Sequence, residues 1–170
     1  YTPSAEDIAA GNVSLTHRAW NDVCAPVESV VPITIRPLPI PTIAGLNQLC
    51  INQTGIEYTA ATTTNTYAWE IAGGTITNGQ TSATATVTWD VAGEGVLVLT
   101  ETNEFGCSQN VEYGVTVNAL PAPVIDGNAL VCANSQLVVY SAPQVEGDNY
   151  EWMVTGGEMV AGAGTHEISV

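Results

Sequence analysis

NTYAWEIAGGTITNG, residues 65–79, and DNYEWMVTGGEMVAG, residues 148–162, spell nearly the same pattern twice. Tyr67, Trp69, Gly73 and Gly74 recur as Tyr150, Trp152, Gly156 and Gly157, each 83 positions on. In the first stretch Tyr67, Trp69 and Ile71 alternate with Thr66, Ala68 and Glu70, the two-residue period of a strand with one buried face. A tryptophan on such a strand, with a tyrosine two residues before it, fills the space between two sheets, and Gly-Gly supplies a positive-φ turn into the next strand. The pattern is scaffold, and it is used more than once.

Working outward, Pro39, Pro41, Ile43, Gly45, Cys50 and Tyr58 recur as Pro121, Pro123, Ile125, Gly127, Cys132 and Tyr140, now 82 positions on. Cys24 recurs as Cys107, 83 positions on, and both cysteines precede an apolar run and a proline-bearing linker. Three copies of one unit follow. Residues 38–118 hold a complete copy, residues 1–37 the C-terminal part of a preceding one and residues 119–170 the N-terminal part of the next. Proline at alternate positions (Pro37, Pro39, Pro41; Pro121, Pro123) makes the linkers extended and semi-rigid.

Within the complete copy, Ala83, Ala85, Val87 and Trp89 alternate with threonines, and Val111, Tyr113, Val115 and Val117 alternate with Glu112, Gly114 and Thr116. GVLVLT from Gly95 is apolar on both faces, as a central strand is. With IEYTA, the threonine segment after Gly-Gly and a short first strand near Ile43, about seven strands are expected per copy, and no window carries a helical period. The expected fold is all-β: tandem immunoglobulin-like antiparallel sandwiches.

Composition narrows the functions. Seventeen carboxylates face two basic residues, Arg18 and Arg36, for a formal charge of −15, and there is no lysine. Such a field repels phosphate backbones, which excludes nucleic acid as a partner. The absence of lysine removes Schiff-base and phosphate-loop chemistry. No apolar run approaches the length of a membrane span and no basic-then-apolar leader is present, so membrane insertion is not expected and any export signal lies outside these residues. What repeats is apolar residues, glycines, prolines and cysteines. Charge does not: at a spacing of 83, Glu70 faces Met153, Glu151 faces Ala68, and Glu101 and Glu104 face Arg18 and Asn21.

Copies running PxPxI-G-(L/V)C, then YxW with Gly-Gly, then NxxGC before a final VxV strand resemble the PKD-like immunoglobulin-fold repeats of very large secreted surface proteins of Bacteroidetes. Residues 1–15, YTPSAEDIAAGNVSL, resemble the back half of such a repeat. The resemblance implies a non-catalytic structural segment of a long extracellular filament or adhesin, serving attachment or gliding motility and exported by the type IX system. The alternative it carries is a carbohydrate-binding or spacer module of a secreted enzyme. It implies neighbouring repeats as partners, with self-assembly into a filament, and surface glycans as candidate ligands. The pattern departs at Asn21-Asp22-Val23-Cys24, one residue shorter than Asn103–Cys107, so a different turn is expected there.

The four cysteines, without CxxC spacing or a nearby histidine, fit an oxidising compartment. Cys50 and Cys107 form either an internal bridge, worth about 4 kcal/mol in the chain-entropy model, or separate staples to neighbouring repeats, or remain thiols; Cys24 and Cys132 have their bridging partners outside the chain. Asp90 and Glu94 share the turn WDVAGEG, Glu6 and Asp7 occupy the related turn of the first copy, and Asp126 follows the second linker. These are the candidate calcium ligands, although no EF-hand loop is present. His17 and His166 do not match one another between copies, and no nucleophile, metal or phosphate-loop motif appears, so no catalytic residue and no cofactor other than calcium is expected. Trp20 is the one candidate exposed aromatic for a sugar.

Overall fold

Alternating apolar and threonine residues become strands through most of the chain, and the computed structural model describes all of it, residues 1–170. The order is helix α1 (Ala5–Ala10), then strands β1 (Asn12–Ala19), β2 (Val27–Thr34), β3 (Ile43–Ala44), β4 (Gln48–Cys50), β5 (Ile56–Ala60), β6 (Thr66–Ala72), β7 (Gly74–Asn78), β8 (Thr84–Trp89), β9 (Gly93–Thr102), β10 (Ser108–Asn118), β11 (Asp126–Gly127), β12 (Val139–Ser141) and β13 (Glu167–Ser169). The chain forms two units, Tyr1–Ala119 and Leu120–Val170.

In the first unit, β3 to β10 build two four-stranded sheets, ordered β4-β10-β9-β6 and β3-β5-β8-β7. Each strand turns one side inward, as its period requires. Leu49, Trp69, Leu97, Leu99, Val115 and Val117 from the first sheet meet Tyr58, Ala85, Val87 and Trp89 from the second in one buried cluster. β9 lies between β10 and β6, which is why its outward residues Val96 and Val98 are half-buried too. The fold is the all-β immunoglobulin-like sandwich.

Three features differ from the sequence reading. The first strand is two strands: β3 pairs with β5 in one sheet, and β4 crosses to pair parallel with β10 in the other. That makes eight strands rather than seven, and one parallel pair in an otherwise antiparallel sandwich. Second, α1 is a helix where none is expected. Its Ser4 N-cap accepts from the Asp7 amide, Asp7 returns a bond to the Ser4 amide, and Gly11 closes the other end at φ 72°, so six residues are held by their caps without any apolar period. Third, the shorter Asn21–Cys24 turn does the same work as its longer counterpart: Asn21 Oδ1 accepts from the amides of Val23 and Cys24, and Asn103 Oδ1 from those of Phe105 and Cys107. Only the longer turn contains a positive-φ residue, Gly106 at φ 80°.

Residues 1–35 hold the β1–β2 hairpin with no core of its own. Leu15 lies opposite Val31 there, and Leu97 lies opposite Tyr113 across β9 and β10. The pairing fixes the sum of the two offsets at 164, and 82 on each strand keeps the apolar residues Leu15 and Ile33 at the inward positions of Leu97 and Val115, so Ala19 stands with Glu101 and Asp22 with Glu104. This corrects the pairing of Arg18 and Asn21 with those glutamates, which followed from spacing the copies on their cysteines. Arg18 instead lies opposite Glu28 within the hairpin, 3.5 Å from it.

In the second unit, β11, β12 and β13 form a three-stranded sheet in that order, the counterpart of β3-β5-β8. Tyr140 pairs with Ile168 as Tyr58 pairs with Ala85. Ile168 is buried. The counterparts of β4 and β6, around residues 130–132 and 149–155, are not strands. The reason is pairing: β4 bonds only to β10 and β6 only to β9, and this unit contains no counterpart of β9 or β10.

Candidate functional site

The repeated aromatics are backbone clamps. Tyr58 Oη donates to Leu46 O at 2.9 Å and Tyr140 Oη to Asn128 O at 2.8 Å. Tyr67 Oη donates to Ala61 O and takes the amide of Thr63, while Tyr150 Oη donates to Pro143 O and takes the amide of Val145. Trp69 and Trp152 send their indole N–H to Ser82 O and Thr165 O, each at 2.8 Å. Each tyrosine or tryptophan thus fills space with its ring and ties down a loop with its polar end. The spacing grows from 82 to 83 between Val145 and Tyr150, where Gly147 at φ 88° takes up one extra residue in a turn.

The two ends of the sandwich built from β3 to β10 are chemically distinct. At one end the β9–β10 hairpin holds the incoming linker: Asn103 Nδ2 donates to Pro37 O at 2.9 Å, and the Arg36 guanidinium lies 4.1 Å above the Phe105 ring. At the other end β4 and β10 finish together, with Cys50 opposite Asn118, where the chain leaves. Asn118 Nδ2 donates to Leu49 O and closes that end. The linker clamp of Asn103, Phe105 and Arg36 escaped the sequence reading. The Asn of the NxxGC motif was visible there, but its partner is a carbonyl, which no side-chain pattern reports.

The cysteines follow from this geometry. All four are unbonded; Cys50 and Cys107 are half-buried, Cys24 and Cys132 exposed. Cys107 immediately precedes β10 and Cys50 lies opposite its last residue, so the length of an eleven-residue strand, about 33 Å, separates them. A disulfide needs Cα atoms within about 7 Å. The internal Cys50–Cys107 bridge is therefore ruled out by the register of β4 on β10.

The candidate calcium ligands are not gathered. No three His, Cys, Asp or Glu side chains converge on a common point. Asp90 accepts from Thr75 Oγ1 at 3.1 Å and Glu94 from Thr116 Oγ1 at 3.3 Å, each occupied with its own cross-strand neighbour. Asp126 stands in β11 of the second unit. Glu6 and Asp7 lie in α1, where Asp7 completes the capping box; hydrogen bonds from Tyr1 and then Ser4 hold its carboxyl below the usual aspartate range, and Tyr1 is correspondingly pushed up to about 12. His166 lies edge-on to Tyr150, and His17 stands exposed on β1. Trp20 is 70% exposed beside Arg18, Cys24 and Pro26. No helix is long and apolar enough to cross a membrane.

One charged side chain is buried, and it was not singled out from sequence. Glu101 is 2% exposed on the inward side of β9, and its Oε1 accepts from Thr63 Oγ1 and Asn65 Nδ2, both at 2.7 Å. It ties the loop before β6 to the core.

Comparison with individual curated proteins finds no match. A family comparison does: the PKD-like domain matches residues 36–117 and again residues 118–170. With two successive matches over most of its length, and the same aromatic clamps built in both, the chain belongs to the PKD-like domain family.

Proposed function

We propose that the chain is a non-catalytic structural segment of a long extracellular surface filament or adhesin, in which tandem sandwiches carry a binding element away from the cell for attachment or gliding. In this reading residues 38–118 are one whole repeat, flanked by the back of one neighbour and the front of another. PKD-like domains are in general structural or extracellular modules. The observation that carries the reading is the position of the two linkers. The chain comes in beside Asn103 and Phe105 and leaves beside Cys50, so the length of β10 lies between the junctions. A module threaded in this way adds about 33 Å of reach per copy. The repeat also keeps its aromatic clamps while letting charge vary, which suits support rather than chemistry.

The test is cellular. Antibody raised against residues 38–118 should label intact cells, and deletion of the repeats should abolish attachment or gliding while secreted hydrolase activities stay unchanged. The isolated repeat should bind nothing on a glycan array. Binding of a defined glycan, or loss of a hydrolase with the deletion, would transfer the chain to the alternative of a carbohydrate-binding or spacer module.

The cysteines belong to the same proposal. With Cys50 and Cys107 at opposite ends, each faces a junction, and each pairs with the cysteine at the facing end of the adjoining repeat. Forming each bridge removes two protons and two electrons from two thiols, passed to a protein disulfide by exchange or to dioxygen. Peptide mapping of the surface protein without reductant should join a Cys50-type peptide of one copy to the Cys107-type peptide of the copy after it. Recovery of both as free thiols would end this part of the proposal.

A further inference from the structure

Asn78 and Gly79 stand where β7 ends and the turn into β8 begins, and Asn78 is the only asparagine of the chain followed by glycine. The fold demands the glycine. Its φ is 75°, and a Cβ there would run into the Thr84 carbonyl oxygen across the turn. No such demand falls on the asparagine. Gly162 occupies the same place in the second unit, at φ 89° and against the Glu167 carbonyl oxygen, and the residue before it is Ala161. Asn78 is exposed, and its Oδ1 accepts from the Gly79 amide at 2.9 Å. The main-chain nitrogen therefore lies against the side-chain amide, and glycine has no side chain to screen the approach. The pairing of β7 with β8 also slips between Ile76 and Asn78, so the ladder is irregular at this point.

We propose that Asn78–Gly79 is a site of self-modification, at which the folded chain converts asparagine to isoaspartate without an enzyme. The Gly79 nitrogen attacks Cγ of Asn78. The N–Cγ bond forms, the Cγ–Nδ2 bond breaks, and the main-chain amide proton leaves with Nδ2 as ammonia. Water then opens the resulting cyclic imide at one of its two carbonyls. Opening at the main-chain carbonyl gives isoaspartate, whose backbone is longer by a methylene, and opening at Cγ gives aspartate. The extra methylene enters immediately before the turn that receives Trp69: Gln80 O accepts the Trp69 amide at 2.9 Å, and Ser82 O accepts its indole N–H at 2.8 Å. With Gly79 already packed against Thr84, the turn has no room for the insertion, so isoaspartate displaces it and loosens the hold on Trp69. Aspartate keeps the main chain and an acceptor oxygen, and leaves that hold intact. None of this depends on a surface role, so the cellular reading stands or falls separately.

The experiment uses the whole 170-residue chain, folded, reduced and held at body temperature in mildly alkaline buffer. Chymotryptic mapping over time, with fragmentation that separates isoaspartate from aspartate, should show Asn78 converting at least about tenfold faster than any other asparagine, a barrier lower by about 1.4 kcal/mol. Asn78→Ala, which puts at this place the side chain the second unit carries there, should fold normally and abolish the conversion. The isolated isoaspartyl fraction should lose the near-UV signal of Trp69 and Trp89 at a lower urea concentration than the fresh chain. Asn78→Asp, the other product encoded directly, should lose it where the fresh chain does. An Asn78 that converts no faster than the other asparagines overturns the proposal. An isoaspartyl fraction that unfolds with the fresh chain overturns the link to Trp69.

Discussion

Replacing Trp89 with alanine should destabilise the complete copy by about 4 kcal/mol, near the middle of the range for emptying a buried aromatic site. The indole is fully buried between the sheets, and its N–H donates to Tyr58 Oη at 3.0 Å; Tyr58 in turn donates to Leu46 O. The two rings meet edge to face, 6.2 Å apart at 80°. Around the indole the chain has given up side chains: a Cβ on Gly95 would lie 2.3 Å from the ring, far inside van der Waals contact, and one on Gly74 would sit 3.0 Å from it. Walls made of strand backbone cannot close over a vacated space as flexible side chains can, so the cavity should persist and its cost should be felt in full. A module of this size has roughly 4 to 12 kcal/mol in total. Urea unfolding followed by circular dichroism reads the change directly. Trp20→Ala, on the exposed side of the hairpin, should move the midpoint by less than about 0.5 kcal/mol. Equal effects at the two positions would mean that the sandwich is not built around Trp89.

The same residue explains why so much of the fold was legible. Tyr58, Tyr67 and Trp69 each combine an inward-packing ring with a bond to a loop carbonyl, and Tyr58 and Trp89 require glycines beside them, so their spacing reports several constraints together. The second copy repeats Tyr58, Tyr67 and Trp69 as Tyr140, Tyr150 and Trp152, down to the carbonyls they bond. What escaped was set by partners distant in sequence or by elements shorter than a period. β4 is three residues long and exists because β10 runs beside it, nearly seventy positions later. α1 is fixed by Ser4, Asp7 and Gly11, with no apolar pattern to announce it. The cysteines misled in two ways. Cys24 and Cys107 sit one step out of register with the strands they flank, which shifted the alignment of Glu101, and the pairing of Cys50 with Cys107 ignored the length of β10.

Glu101 shows what a shift of one position conceals. Aligned on the cysteines it faces Arg18 and looks like a variable surface charge; aligned on the register it takes the place of Ala19, on the inward side of its strand. Its carboxylate holds Thr63 and Asn65, while Thr63 also meets Tyr67 Oη at 3.0 Å and receives the Asn65 amide at 3.2 Å. The turn from β5 into β6 is therefore organised around one buried acceptor. Glu101→Ala should destabilise the copy by about 2 to 3 kcal/mol, because it strands two donors and leaves the space of the side chain. For a domain of this size that lowers the melting temperature by roughly 10 to 20 °C. Glu101→Gln keeps one acceptor oxygen and should lose about half as much. A double-mutant cycle with Asn65→Ala separates the hydrogen bond from the packing, and a coupling of about 1.5 kcal/mol or more is expected for a bond to a charged acceptor. A coupling near zero would mean that Asn65 is held by the loop alone. The carboxylate would then be a tolerated passenger of the core instead of the group that fixes the Trp69 strand at its start.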